Sequence, residues 1–315
     1  MQHFFSIQDI DIPDQWIKEA LDLKKNPITH HNLGKHKTLG MLFFNPSLRT
    51  RLSTQKAAIN LGMNVMVMNF TGEGWTLEFE DGAIMDKGAS EHIKEAAQVV
   101  SQYCDVLAVR SFASLQNKEE DYAEKVLKGF MEYASIPIIN MESPTGHPLQ
   151  ALTDAITIEE YKSSVKPKVV LSWAPHPKAL PQAVANSFAE MTSRLDVDFV
   201  ITHPQGFELA EEFTKNASIK YNQEEALKDA DFVYVKNWSS YTNYGQTSMD
   251  KSWTLTEQKM KLTNNAKFMH CLPVRRNVVV EDAVIDGKSS IVIPQANNRT
   301  YAAQLVLKKI LETKS

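Results

Sequence analysis

Cysteine is scarce in this chain of 315 residues: Cys104 and Cys271 are the two, far apart in sequence. Neither has metal-ligand spacing, so neither a disulfide framework nor a metal site is expected. Long apolar runs are lacking too, and nothing approaches the roughly 18 residues a membrane-spanning helix needs. Basic charge is not in excess. Thirty-four Lys and Arg against 38 Asp and Glu leave a net charge of −4, so no global field recruits nucleic acid and any anion site must be local. The first residues show no basic-then-apolar signal pattern, which makes a reducing cytoplasm the expected setting. There is no GxGxxG and no HExxH, and Gly287-Lys288-Ser289 lacks the first Walker glycine because position 282 is Asp. Internal repeats and low-complexity tracts are missing as well.

What is present is an alternation of strand and helix patterns long enough for about two domains. The spacing predicts a helix over residues 10–25, a polar loop to 36, a strand over 39–44, a helix over 51–61 and a strand over 64–69. That β-α-β unit favours a parallel sheet. Residues 71–90, with four glycines and the lone Trp75, read as a long functional loop. The alternation resumes with a helix (91–103), a strand (106–109), a helix (122–133) and a strand (136–141), and a helix over 149–161 bridges onward. Strands are expected at 169–173, 198–201, 232–235, 268–270 and 291–293, with helical stretches such as 181–191 between them, and a last helix at 300–313. The expected fold class is α/β, with two domains, each a mainly parallel sheet flanked by helices. They are residues 1–147, completed by the C-terminal helix 300–315, and residues 148–299.

Ligands of open α/β sheets sit beyond the carboxyl ends of the strands, so polar residues just past the strands carry the chemistry. Four sets qualify. Ser47-Leu48-Arg49-Thr50-Arg51 offers free backbone N–H groups at a helix start, two hydroxyls and two guanidiniums, which suits a phosphate-sized anion; it reads equally as an ordinary Ser N-cap with solvated arginines. Arg110 follows the strand 106–109, and Glu142 to Gln150 follow the strand 136–141. There His147 and Gln150 are donors fit to stabilise a carbonyl oxygen, or a capping histidine with a neighbour. His270-Cys271-Leu272-Pro273 is either a Cys-His pair or, the preferred reading, a rigid turn presenting carbonyls, since sequence neighbours need not meet in space. One interdomain cleft can collect all four sets.

Taken with Asn297-Asn298-Arg299, the order and spacing of these motifs resemble the transcarbamoylase family over almost the whole chain. The resemblance implies carbamoyl transfer from carbamoyl phosphate to an amine, with no cofactor, in a trimer whose sites lie between subunits. It assigns Ser47, Leu48, Arg49, Thr50 and Arg299 to carbamoyl phosphate, with Trp75 from the adjacent subunit, and Arg110, His147 and Gln150 to the carbamoyl oxygen. Cys271 and Leu272 would offer backbone carbonyls near the attacked carbon, without a covalent intermediate.

Ornithine enzymes of the family carry Asp and a Ser-Met-Gly motif where this chain has Lys236-Asn237-Trp238. A lysine repels a free α-ammonium and attracts a carboxylate, so the α-nitrogen is expected to be acylated. Glu142, Phe112 and Arg276 join Lys236 as expected acyl-ornithine contacts. The acetyl-specific branch resembles this chain but has Glu where Ser90 stands and a functional lysine where Gln304 stands. Ser90 leaves room for a succinyl carboxylate, and it also reads as a helix N-cap. Lys178, Arg276 and Arg51 are the cation candidates for that carboxylate. Gln295 replaces a Glu common in relatives, with Asn297 a possible substitute in orienting Arg299. The expected acceptor is N-succinyl-L-ornithine; N-acetyl-L-ornithine is the nearest alternative, and a non-catalytic phosphate-binding paralogue is the alternative of another class.

Overall fold

A computed structural model describes residues 1–70 and 75–313. Residues 71–74, part of the expected loop, lie outside the described residues. The chain runs α1 (Pro13–Lys25), β1 (Thr38–Phe43), α2 (Leu48–Asn60), β2 (Asn64–Asn69), the two-residue strands β3 (Leu77–Glu78) and β4 (Glu91–His92), α3 (Ile93–Tyr103) and β5 (Val106–Arg110). There follow α4 (Lys118–Tyr122), α5 (Lys125–Tyr133), β6 (Ile138–Glu142), α6 (Pro148–Tyr161), β7 (Lys168–Trp173), α7 (Ala183–Thr192), β8 (Asp198–Thr202), β9 (Ser218–Lys220), β10 (Phe232–Lys236), β11 (Lys267–Met269) and α8 (Val292–Thr313).

Two parallel sheets organise the molecule, in the orders β2-β1-β5-β6 and β11-β10-β7-β8-β9. Their central strands are mainly apolar because both faces are covered, and period-two alternation assigns each residue to a face. Leu39, Met41 and Phe43 pack with α1, α2, α6 and α8, while Leu42, Leu107 and Val109 pack with α3 and α5. In the second sheet Val169, Leu171 and Trp173 face α7, while Val170, Val233 and Val235 form the opposite core. Helix α6 crosses between the halves: Leu149 to Ile156 join the first core and Ile158 the second.

The strand order reverses once in each sheet. From β1 the chain moves outward to β2 and then returns to β5 on the other side; from β7 it moves to β8 and β9 and returns to β10. Each reversal opens a crevice at the carboxyl ends of its two central strands.

Three expectations are corrected. Residues 291–293 are not a strand: α8 starts at Val292 and runs 22 residues to Thr313. Pro294 sits in its first turn, where the missing N–H costs no hydrogen bond, and the Gln295 amide closes the first helical bond to Ile291 at 2.9 Å. The helix expected at 122–133 is broken at Glu124, left-handed at φ 56°. Its carboxylate accepts from the Ser143 hydroxyl at 2.8 Å, the Thr145 amide at 2.9 Å and the Thr145 hydroxyl, bracing the loop that leads to His147. Finally, His92 rather than Ser90 caps α3, accepting from the Lys94 amide at 3.2 Å.

Candidate active site

The crevices of the two sheets face each other across one cleft of about 610 Å³. Residues 46–50 follow β1 and Arg110 ends β5, flanking the first reversal; His176 and Lys178 follow β7 and Lys236 ends β10, flanking the second. Glu142, His147 and Gln150 come from the end of β6 and the start of α6, Cys271 to Arg275 from the turn after β11, and Arg299 from α8.

Ser47 caps α2, its hydroxyl accepting from the Thr50 amide at 3.3 Å. The cap is real and the anion reading survives it, because three guanidiniums gather there. Thr50 is their hub: its hydroxyl accepts from Arg299 at 2.8 Å and from Arg110 at 3.3 Å. Arg49 lines the same wall. Burial, opposed by Cys271 and reinforced by Arg49 and Arg110, pulls the Arg299 guanidinium down to about 10. Burial also lowers Arg49, again with Arg110 adding to the shift. Like charges held together in a desolvated pocket call for an anion between them.

Beside this group His147, which stands at the N-cap position of α6, is fully buried. Burial first, then Arg299, Arg110, Arg49 and Lys236, hold it well below the usual imidazole range. It is therefore a neutral donor at neutral pH, with Nε2 3.5 Å from the Glu142 carboxylate. Glu142 also accepts from Arg110, and the Arg110 guanidinium lies 4.5 Å over the Phe112 ring. Gln150 accepts from Arg299 through Oε1 and donates to Asp154 through Nε2 at 2.6 Å.

The turn after β11 lines the cleft through Cys271 and Leu272, and it does not form the Cys-His pair. His270 is not paired with the Cys271 thiol; its Nδ1 accepts from the Leu272 amide at 2.8 Å. Leu272 is left-handed at φ 54°, and burial pushes the Cys271 thiol above its usual range, which disfavours a thiolate. Lys236 reaches the cleft from β10 and donates to the Asn237 carbonyl at 3.0 Å.

Six residues singled out from the sequence stand outside this cleft. Arg276 is committed to Asp282 and Asp286 at 2.7 Å each, and Arg275 lines the cleft in its place. Arg51 reaches toward Asn69 at 3.5 Å. Trp75, 45% exposed, donates to Glu91, and Ser90 is exposed, its amide bonded to the Thr76 carbonyl at 2.9 Å. Asn297 is exposed and does not line the cleft. Gln304 is buried, accepting from Asn60 and donating to the Pro27 carbonyl, so it ties α8 to α2 and the loop after α1. Sequence reasoning missed His176 and Asp154. The strand-end rule applied to residues 169–173 would have found His176; Asp154, in the second turn of α6, gave no signal. Among the described residues no three His, Cys, Asp or Glu side chains converge so as to hold a metal ion.

Comparison with known proteins matches this arrangement domain by domain. Residues 2–160 match the family model of the aspartate/ornithine carbamoyltransferase carbamoyl-P binding domain, and residues 181–310 that of the Asp/Orn binding domain. N-succinylornithine carbamoyltransferase of Bacteroides thetaiotaomicron is 53% identical over 99% of both chains, and N-acetylornithine carbamoyltransferase of Xylella fastidiosa is 34% identical over 98% of both. The crystal structure of an N-acetyl-L-ornithine transcarbamylase mutant, complexed with carbamyl phosphate and N-succinyl-L-norvaline, is 33% identical and superposes with a TM-score of 0.90, covering 98% of this chain and 100% of that one. With both of its domains matched in order and full-length relatives above half identity, the chain belongs to the aspartate/ornithine carbamoyltransferase family.

Proposed function

We propose that the chain transfers the carbamoyl group of carbamoyl phosphate to the δ-amine of N-succinyl-L-ornithine, giving N-succinyl-L-citrulline and phosphate, in cytoplasmic arginine biosynthesis. The observation that carries the reading is the separation of charge within the cleft. Arg49, Arg110 and Arg299 gather around Thr50 on one wall, and Lys178, Lys236 and Arg275 line the other. The first cluster suits a phosphate, and the second suits an acceptor with two carboxylates. N-succinylornithine has two and N-acetylornithine one. The greater identity to the succinyl-named relative, 53% against 34%, supports the same choice.

The chemistry follows. The neutral δ-amine attacks the carbonyl carbon; its nitrogen bonds to carbon, the bond from carbon to the phosphate oxygen breaks with its electron pair going to that oxygen, and the departing phosphate takes up the amine proton. The carbonyl oxygen becomes negative on the way, so Arg110, neutral His147 and Gln150 stabilise the transition state more than the ground state. Ser47, Leu48, Arg49, Thr50 and Arg299, at the positive end of α2, hold the departing phosphate. Lys236 takes the α-carboxylate and Glu142 the amide N–H, with Phe112 stacked under Arg110. Arg275 and Lys178, rather than Arg276 or Arg51, are the cations for the succinyl carboxylate.

A homotrimer completes the proposal. Leu48 and Leu52 of α2 and Met66 on the edge strand β2 are exposed apolar side chains on one flank of the first sheet, a surface suited to another copy. Trp75 and Ser90, outside their own cleft, would serve a neighbour's. The division of labour is residues 1–147 with the last helix for carbamoyl phosphate, and 148–299 for the acyl-ornithine.

Steady-state assays with carbamoyl phosphate and ornithine, putrescine, N-acetyl- or N-succinyl-ornithine test the specificity. The largest kcat/KM is expected for N-succinylornithine; a larger value for the acetyl compound would overturn the choice of acyl group.

A further inference from the structure

We propose that Asp154 is a positioning residue of this reaction: one buried carboxyl oxygen fastens the Gln150 amide and, through Gln295, the Cys271–Leu272 turn. The proposal rests on the carbamoyl-transfer reading above. Asp154 lies four residues beyond Gln150 on α6, hence on the same helix face. Its Oδ1 accepts from Gln150 Nε2 at 2.6 Å and from Gln295 Nε2 at 2.7 Å. Gln295 Oε1 in turn accepts the backbone N–H of His270 at 3.0 Å, and His270 Nδ1 accepts that of Leu272 at 2.8 Å. A single oxygen atom thus ties α6, α8 and the turn after β11 into one register.

The arrangement also fixes which way the Gln150 amide points. A carboxylate oxygen accepts and a guanidinium only donates, so Asp154 on one side and Arg299 on the other leave the amide no freedom to flip. The remaining Gln150 N–H is then held in one direction, which preorganised stabilisation of a developing negative oxygen requires. This also explains Gln295, whose amide serves as acceptor and donor at once. A Glu there, if ionised, could accept from His270 but would face Asp154 as a second carboxylate.

The second oxygen, Oδ2, lacks a partner of normal hydrogen-bond geometry. Three groups bear on the carboxyl besides the two amides: the Tyr234 hydroxyl from β10, the Cys271 thiol from the turn and the Arg299 guanidinium from α8. Burial raises the Asp154 carboxyl to about 7, against the hydrogen bonds of Gln295 and Gln150 and the charge of Arg299. The carboxyl is neutral below that pH and charged above it. The charged form is the stronger acceptor, so the grip on both amides tightens as pH rises through about 7.

Two variants separate positioning from mere packing. Asp154→Asn keeps an acceptor oxygen and removes the titration; Asp154→Leu removes both and keeps the branched outline with a bulkier side chain. Carbamoyl phosphate affinity is measured by calorimetry from about pH 6 to about 8.5, and kcat and KM with N-succinylornithine at neutral pH. Wild-type affinity is expected to gain a component that rises through about pH 7, Asp154→Asn to lack it while keeping kcat within about threefold, and Asp154→Leu to lose about tenfold or more in kcat. A pH profile in Asp154→Asn that follows wild type, or a kcat in Asp154→Leu within about twofold of wild type, overturns the proposal. If Asp154→Leu does not fold, the Asn profile decides. Wild-type protein that binds carbamoyl phosphate yet turns over no acyl-ornithine would sink the functional reading, and the affinity comparison would still judge Asp154.

Discussion

Arg49 stands in the first turn of α2 on the donor wall, held among two other guanidiniums and partly stripped of water. Its part in the proposed reaction is confined to the phosphate, which every acceptor shares. Replacing it by Ala removes one charge-assisted contact, worth roughly ten- to a hundredfold in carbamoyl phosphate binding. Arg49→Ala should therefore raise the KM for carbamoyl phosphate by the same factor with N-succinyl- and N-acetyl-ornithine. Steady-state kinetics with both acceptors checks this, and a loss restricted to one of them would contradict a role on the donor. At this scale the sequence was legible where a residue type and its place agreed. Ser47, Arg49, Thr50, Arg110, His147, Gln150 and Lys236 all sit at strand ends or helix starts, as their chemistry demands. It was illegible where adjacent residues offer the same chemistry. Nothing in Arg275-Arg276 says which guanidinium enters the cleft, because that choice depends on Asp282 and Asp286 taking the second one. Asp154 was hidden for a different reason: Gln295, the partner through which it reaches the turn after β11, lies on another helix 141 residues away.

Elements were read well when periodicity was strong and poorly when tertiary contacts set the boundary. The central strands are mainly apolar, and their parallel pairing follows from the β-α-β alternation. Ile291-Val292-Ile293 has the same apolar, β-branched look, yet it opens a helix, since three residues carry no period to distinguish the two. The break at Glu124 is likewise invisible locally. Residues 122–133 have a helical pattern throughout, and the chain leaves it at Glu124 because that carboxylate has donors waiting across the structure in Ser143 and Thr145. That loop feeds directly into His147, whose amide is in turn fixed by the Ser187 hydroxyl at 2.8 Å. Glu124→Ala removes the acceptor shared by the buried Ser143 hydroxyl and the half-buried Thr145 amide and hydroxyl, at a cost of about 1–3 kcal/mol. Denaturant unfolding measures it, and a change below about 0.5 kcal/mol, the usual size for a surface substitution, would show that the loop does not depend on this carboxylate.

For the whole molecule the decisive fact is that Trp75 and Ser90 are exposed and stand outside the cleft of their own chain. In the proposed homotrimer each copy would offer such a segment to its neighbour, and every site would be assembled from two chains. The consequence is a test that no single-chain site can pass. Trp75→Ala damages only the segment a subunit gives away, and Arg110→Ala only the cleft it keeps. Each variant alone should be nearly inactive. When the two are unfolded together, mixed and refolded, about one site in four should pair an intact cleft with an intact donated segment, and activity should return to about that fraction of wild type. Sedimentation of the mixture verifies that trimers have formed. If trimers form and no activity returns, Trp75 does not act across the interface, because in that case every chain still carries a defect in its own site.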